Sequence, residues 1–432
     1  MMWLFRLLSL AFICYALFRA PRRPGLFGGV AINSYLYSVY LGSAGPILGF
    51  LALAIAAAEL YARREAILLP SEKMLGLWVI AIATSTLFSL YLDDALMDVA
   101  FLVTLCIPAY VYARTFARDE RFLLDLVVAS CVTLLLCEPG MLLTTPANSW
   151  ARVTGSLSAV GASTGADIAM AGSISLLMFH QRLTTRQKMG VAAFLVFILA
   201  PISFLMGTRG VFLGAGAAFV VLALMKLAHG QWRALINGLL AFAIAGAGLL
   251  GLLLALVPFL PNPTMARAIL RTVGFLLGHS NVVAIDASSL VRIKYYGAAW
   301  DLFLASPLFG HGVGAFAYLA NNAAGLYPHN MFLQVLVDLG LAGLIMLLGW
   351  LLPVIWQAVR QALREPRWAE MFALALFIDT FTRMQVSISL MQAKYMFLAG
   401  GIIVSQYLAA RMSVRTDERR RYPPPPVPAS AR

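Results

Sequence analysis

Runs of about 17 to 25 apolar residues recur from one end of this chain to the other, each long enough to cross a hydrocarbon core roughly 30 Å thick as a helix. Inside a bilayer no water satisfies backbone N–H and C=O groups, so segments of that length are confined to helices or closed barrels, and uninterrupted apolar runs select the helix. The chain is 61% hydrophobic and 12% charged over 432 residues, outside the composition of soluble domains. The expected fold class is therefore all-α: a polytopic transmembrane helical bundle of about 12 spans. Spans are expected near residues 45–61, 74–91, 98–113, 121–143, 165–180, 189–206, 211–228, 234–258, 331–356, 369–387 and 391–410. The first 60 residues are ambiguous, because 3–18 is short and 26–44 carries Asn33, Ser34, Ser38 and Gly42.

A formal charge of +13 in a soluble protein would suggest nucleic acid, but the distribution here excludes that partner. Lys and Arg gather in short connections: Arg63 and Arg64, Arg114 to Arg121, Arg182 to Lys188, Lys226 and Arg233, Arg360 to Arg367, and Arg411 to Arg421. The positive-inside rule makes these connections cytoplasmic. Arg19, Arg22 and Arg23 join them only if the first segment runs outside to inside, and charge alone leaves that open. The first apolar stretch has no convincing small-residue cleavage site and is expected to act as an anchor. Cys14, Cys106, Cys131 and Cys137 all fall within apolar segments and suggest neither a disulfide framework nor a metal pattern.

Alternating the spans divides the chain into N-terminal transmembrane helices over 1–258, a far-side loop subdomain over 259–328, C-terminal transmembrane helices over 329–410 and a disordered cytoplasmic tail over 411–432. Tyr91 to Asp98, Glu138 to Gly165 and Ser387 to Met391 make shorter far-side connections. The long loop is expected to be partly helical. From Leu290 its apolar residues Ile293, Trp300 and Leu304 share one helical face, which suits a helix lying at the interface.

Polar clusters at a membrane boundary cost free energy unless solvated or paired, so each far-side cluster is a candidate site. The turn Gly207, Thr208, Arg209, Gly210 aims a guanidinium and the amides of the following helix at one place, which suits a phosphate. A snorkelling arginine at a helix end is the competing reading. In the long loop, Arg292 offers a planar fork for two phosphate oxygens, with Lys294 and Tyr296 close by, although a headgroup contact from an interfacial helix would use the same residues. His329 and Asn330 open the run HNMFLQVLVDLGLAG. Asn330 can cap that helix, and the helix dipole favours a neutral imidazole, which is a competent general base. Asp379 and Arg383, four apart on one helical face, either neutralise one another or position the histidine or a phosphate. No DxD, no HExxH and no histidine pair at ligand spacing occurs, so neither a metal nor another cofactor is expected.

At these residues the chain resembles the O-antigen ligase superfamily, which includes O-antigen polymerases and membrane oligosaccharyltransferases of proteins. His329 and Asn330, then nine residues, Gly340, two residues and Gly343, resemble the ligase histidine motif. The GTRG turn and RIKYYGAAWDLFLASPLFGHGVGAF are similar to the family's arginine-bearing turn and helix. The resemblance implies a GT-C glycosyltransferase of the bacterial inner membrane with its site facing the periplasm. It would transfer a glycan from undecaprenyl pyrophosphate to a hydroxyl of the lipid A core oligosaccharide, with inversion and without metal. His329 would be the base, and Arg209 and Arg292 would hold the pyrophosphate. A polymerase using the same donor is the nearest alternative, and a polysaccharide flippase a more distant one. A flippase would favour an inverted repeat or paired discontinuous helices, neither of which is evident from the sequence.

Overall fold

The computed structural model describes residues 2–34, 36–37, 45–63, 68–89, 91–144, 166–201, 209–256, 258, 287–321, 327–364, 366–386 and 388–421. The regular structure of the described residues is all helical, with no strand among them. In chain order the helices are α1 (Met2–Arg19), α2 (Pro24–Ile32), α3 (Gly45–Arg63), α4 (Pro70–Leu87), α5 (Leu92–Phe116), α6 (Glu120–Thr144), α7 (Ala166–Phe179), α8 (Thr185–Phe194), α9 (Arg209–Ala228) and α10 (Trp232–Leu256). There follow α11 (Ala287–Ala305), α12 (Ala315–Asn321), α13 (Met331–Arg364), α14 (Trp368–Met384) and α15 (Lys394–Arg421). By length and composition, α5, α9 and α13 can each cross a membrane. Their outer surfaces carry uncovered apolar side chains at helical spacing, such as Leu213, Val220, Leu224 and Leu227 on α9 and Ile345, Leu352 and Trp356 on α13. Hydrocarbon, not water, is the solvent that accommodates such stripes.

Two boundaries differ from the sequence expectation. Tyr91 to Asp98 is not a loop: Leu92 begins α5, which runs on through a wide π turn at Leu102–Cys106. Residues 411–421, expected in the disordered tail, continue α15 as helix, and 422–432 lie outside the described residues. Residues 259–286 and 145–165 are outside them as well.

The bundle has two chemically distinct ends. At one, Arg114 and Glu72 form a buried ion pair between α5 and the start of α4, and Tyr110 donates to Glu72 at 3.2 Å. Arg23 donates to Asp125 through Nε at 2.9 Å, which brings the connection after α1 beside the one between α5 and α6. The charge pattern left that placement open; the ion pair puts Arg22 and Arg23 at the end that carries Arg118 and Arg121. His229 Nε2 meets the Ala362 carbonyl at 3.1 Å, so the connection after α9 and the end of α13 also meet.

At the opposite end α13 is broken. Gly340 takes φ 62° and ψ −157° inside an otherwise helical run. A break strands carbonyls before it and amides after it, and these need new partners. The glycine-rich turn that follows α11 supplies them. His311 and Gly312 donate to the Val337 and Asp338 carbonyls at 2.7 and 3.0 Å, while Leu341 and Ala342 donate to Pro307 and Leu308 at 2.9 and 3.1 Å. Backbone meets backbone so closely that neither facing glycine has room for a side chain. A Cβ on Gly310 would lie 2.5 Å from the Val337 oxygen, and one on Gly340 would lie 2.5 Å from the Leu308 carbonyl. Gly340→Ala combines that clash with a left-handed backbone, and should cost about 2 kcal/mol or more. A lowered thermal transition in detergent, with Gly216→Ala unchanged because its Cβ would meet nothing within 4 Å, is the expected outcome. The same turn reaches α4, where Val313 N–H donates to Ser85 Oγ at 3.2 Å and Ser89 Oγ donates to the Val313 carbonyl at 3.0 Å.

Candidate active site

The broken end of α13 is also where its histidine lies. Asn330 Oδ1 accepts from the amides of Phe332 and Leu333 at 3.0 and 3.1 Å, a side-chain cap that fixes where the helix starts. His329, one residue earlier, is the only non-glycine residue among those described with a positive φ, at 57°. Such a conformation costs on the order of 1–3 kcal/mol and persists only where surroundings enforce it. Two tyrosine rings pack on the residue. The imidazole lies 4.3 Å from the Tyr327 ring centroid and nearly parallel to Tyr295 at 6.2 Å, 11° between planes. Tyr295 is in turn held edge-on by Phe316 at 5.7 Å. The residue is half-buried, and its Nδ1 is buried.

Gln385, immediately after α14, ties the neighbouring helices to this point. It accepts from Asn330 Nδ2 at its side-chain oxygen and from the Tyr296 hydroxyl at its backbone carbonyl, both at 3.2 Å. Tyr296 and Tyr295 thereby hold α11 against the start of α13, with half-buried Arg292 one turn earlier on the same helix. Burial raises the Tyr327 phenol above its ordinary pKa, whereas the Arg292 and Arg383 guanidiniums pull it down and Asp98 adds to the rise. Both arginines and Asp98 therefore lie within electrostatic reach of Tyr327, the ring that packs on His329.

Beneath this surface layer is a buried charge cluster with a member the sequence did not suggest, Asp167. Arg383 is fully buried and pairs with Asp167 on α7, with Asp379 also within its electrostatic reach. The carboxylate of Asp379 is aimed at α9, where a Cβ on Gly214 would come within 1.9 Å of it and 3.0 Å of Arg383 Cγ. An absent side chain on Gly214 is what lets α9 close on α14 at this level. Arg209 begins α9 five residues before Gly214, about 7 Å further toward the site end along the helix. Its backbone is therefore at the correct end, while its side chain, with Gly207 and Thr208, lies outside the described residues.

Of the residues singled out from sequence, His329, Asn330, Tyr296, Arg292 and Arg383 converge around Tyr327 and Gln385. Lys294 does not join them: it is exposed on α11, because it is two residues from Arg292 and Tyr296 and helical geometry turns it away. Ile293, Trp300 and Leu304 are likewise exposed, forming an uncovered apolar strip on α11. Sequence reasoning noted Tyr295 only as part of the Arg292 run, and missed Tyr327 and Asp167. Tyr327 had a usable signal in Tyr-Pro-His-Asn, since a proline-stiffened tripeptide keeps its two rings close. Asp167 had none that could name Arg383, which is 216 residues away.

The start of α13 thus presents a left-handed histidine packed on Tyr327, a ring within electrostatic reach of Arg292 and Arg383. Residues 194–348, which include Arg292, Tyr295, Tyr327 and His329, match the family model described as O-antigen ligase. Over those residues, about a third of the chain, the protein is similar to that family of ligase and polymerase-like membrane enzymes, which supports glycosyl transfer at a coarse level. No curated protein matches the chain.

Proposed function

We propose that this protein is an O-antigen ligase of GT-C type. It transfers a glycan from undecaprenyl pyrophosphate to a hydroxyl of the lipid A core oligosaccharide at the periplasmic face of the inner membrane. The observation that carries this reading is the left-handed His329, pinned between Tyr295 and Tyr327 with Arg292 in range, at the end opposite the basic connections. Lysine and arginine mark the cytoplasmic side in such chains, so the histidine faces the periplasm.

In the proposed reaction His329 uses Nε2, since Nδ1 is buried, to take the proton of the acceptor hydroxyl. The freed oxygen pair attacks the anomeric carbon as the bond from that carbon to the pyrophosphate oxygen breaks, and the lipid pyrophosphate leaves with the bonding pair. Attack from the face opposite the leaving group inverts the configuration. Arg292 and Arg209 bind the pyrophosphate and offset the charge that builds on it, which is the part of such a reaction that fixed cations accelerate most. Tyr296 and Asn330 position the two groups through Gln385, and Asp379 and Arg383 keep α9 and α14 registered below them.

Two guanidiniums do the work that a divalent ion does elsewhere, so transfer in proteoliposomes should survive exhaustive chelation within about twofold. Loss of activity on chelation with recovery on adding a divalent ion would remove the metal-free mechanism. Deletion of the protein separates ligase from polymerase. Accumulated lipid-linked polymer with bare lipid A core is the expected phenotype, whereas single repeats on lipid A would assign a polymerase.

A further inference from the structure

At the end opposite the active site, the connection between α1 and α2 and the one between α5 and α6 enclose a cavity of about 220 Å³. Arg22, Arg23, Arg118 and Arg121 line it, against only two carboxylates, Asp119 and Asp125. Asp125 is already committed: it is buried and takes both Nε and a terminal nitrogen of Arg23. Asp119 Oδ1 accepts from the backbone amide of Arg121 at 3.1 Å. The starts of α2 and α6 and the ends of α1 and α5 all meet here, so their dipoles largely cancel and the side chains set the sign. That sign is positive, in a recess with an apolar wall formed by Phe116 and Phe122, whose rings lie 6.4 Å apart.

We propose that this cavity binds the phosphate of an anionic phospholipid headgroup. The chemistry of a phosphate oxygen cluster fits several guanidiniums converging on one hollow. A lipid, not free phosphate, is selected by what lies beside it. The last turns of α1, continuous with Arg22, leave Tyr15, Leu17 and Phe18 uncovered, Phe18 to 83%. Acyl chains would lie on that face while the headgroup enters the recess, the arrangement by which basic pockets between membrane helices retain anionic lipids. The bound lipid would bridge the two connections that the Arg23 and Asp125 pair already joins. This inference is independent of glycosyl transfer, since it is read by binding alone.

The test is lipid retention by the purified full-length protein in phosphatidylcholine nanodiscs with graded phosphatidylglycerol, read by thermal shift and by native mass spectrometry. Wild type should show a saturable stabilisation and a retained phosphatidylglycerol. Arg22→Gln with Arg121→Gln, both at the exposed rim and so without effect on folding, should weaken that binding on the order of tenfold. Arg118→Gln should act in the same direction, and inorganic phosphate at matched concentration should give no shift. Equal binding by wild type and the rim double variant would overturn the site. An equal shift from inorganic phosphate would overturn the lipid as its occupant.

Discussion

Replacing His329 by alanine is expected to lower turnover by about 10² to 10⁴, the usual contribution of a positioned general base, with little change in donor binding. The imidazole is the group assigned to proton abstraction, and it packs on the rings of Tyr295 and Tyr327. Alanine at φ 57° would keep the backbone strain, so His329→Gly is the sharper variant. Glycine accepts that conformation without penalty, which should leave the thermal transition close to wild type while transfer is lost. The comparison separates a chemical role from support of the chain, because a purely structural histidine would cost stability in proportion to activity. Turnover within a few fold of wild type in the glycine variant would remove His329 as the base.

Arg292→Ala should reduce turnover by about 10² to 10³, the range seen when one preorganised donor to a developing anion is removed. The helix that carries it remains anchored, since Tyr296 still donates to Gln385 and Tyr295 still packs on Phe316. Arg292→Lys should recover only part of the loss. An ammonium keeps the charge but not the planar pair of donors that grips two oxygens of one phosphate. Kinetics with the lipid pyrophosphate donor check this directly. Equal rates for wild type, alanine and lysine would show that Arg292 touches neither the donor nor the charge that develops on it.

Much of the fold was legible because apolar runs of membrane length allow few structures: helices begin and end near the expected limits at 45–63, 120–144, 166–179 and 209–228. The position of His329 at the mouth of α13 was legible too, since polarity at the start of a greasy helix is conspicuous. What was not legible depended on partners distant in sequence. The break at Gly340 is stable only because Pro307 and Leu308 supply acceptors from the preceding turn. Nothing local in DLGLAG distinguishes such a break from a glycine tolerated in a continuous helix. Helical spacing put Arg383 and Asp379 on one face, but could not show that α7 adds Asp167 as an ion-pair partner of Arg383. The orientation of the first segment was undetermined by charge and became readable only through Arg23 and Asp125. Short-range patterning thus found the elements and the polar marks, while the pairings that build a site were set by packing between helices.

Reconstitution of the purified protein in proteoliposomes with undecaprenyl pyrophosphate-linked glycan and lipid A core oligosaccharide tests the central claim most directly. Glycan should move onto lipid A core, visible as a gel shift, with undecaprenyl pyrophosphate released in equal amount. Growth of longer chains on the lipid carrier with lipid A core unmodified, or no transfer to either, would contradict it.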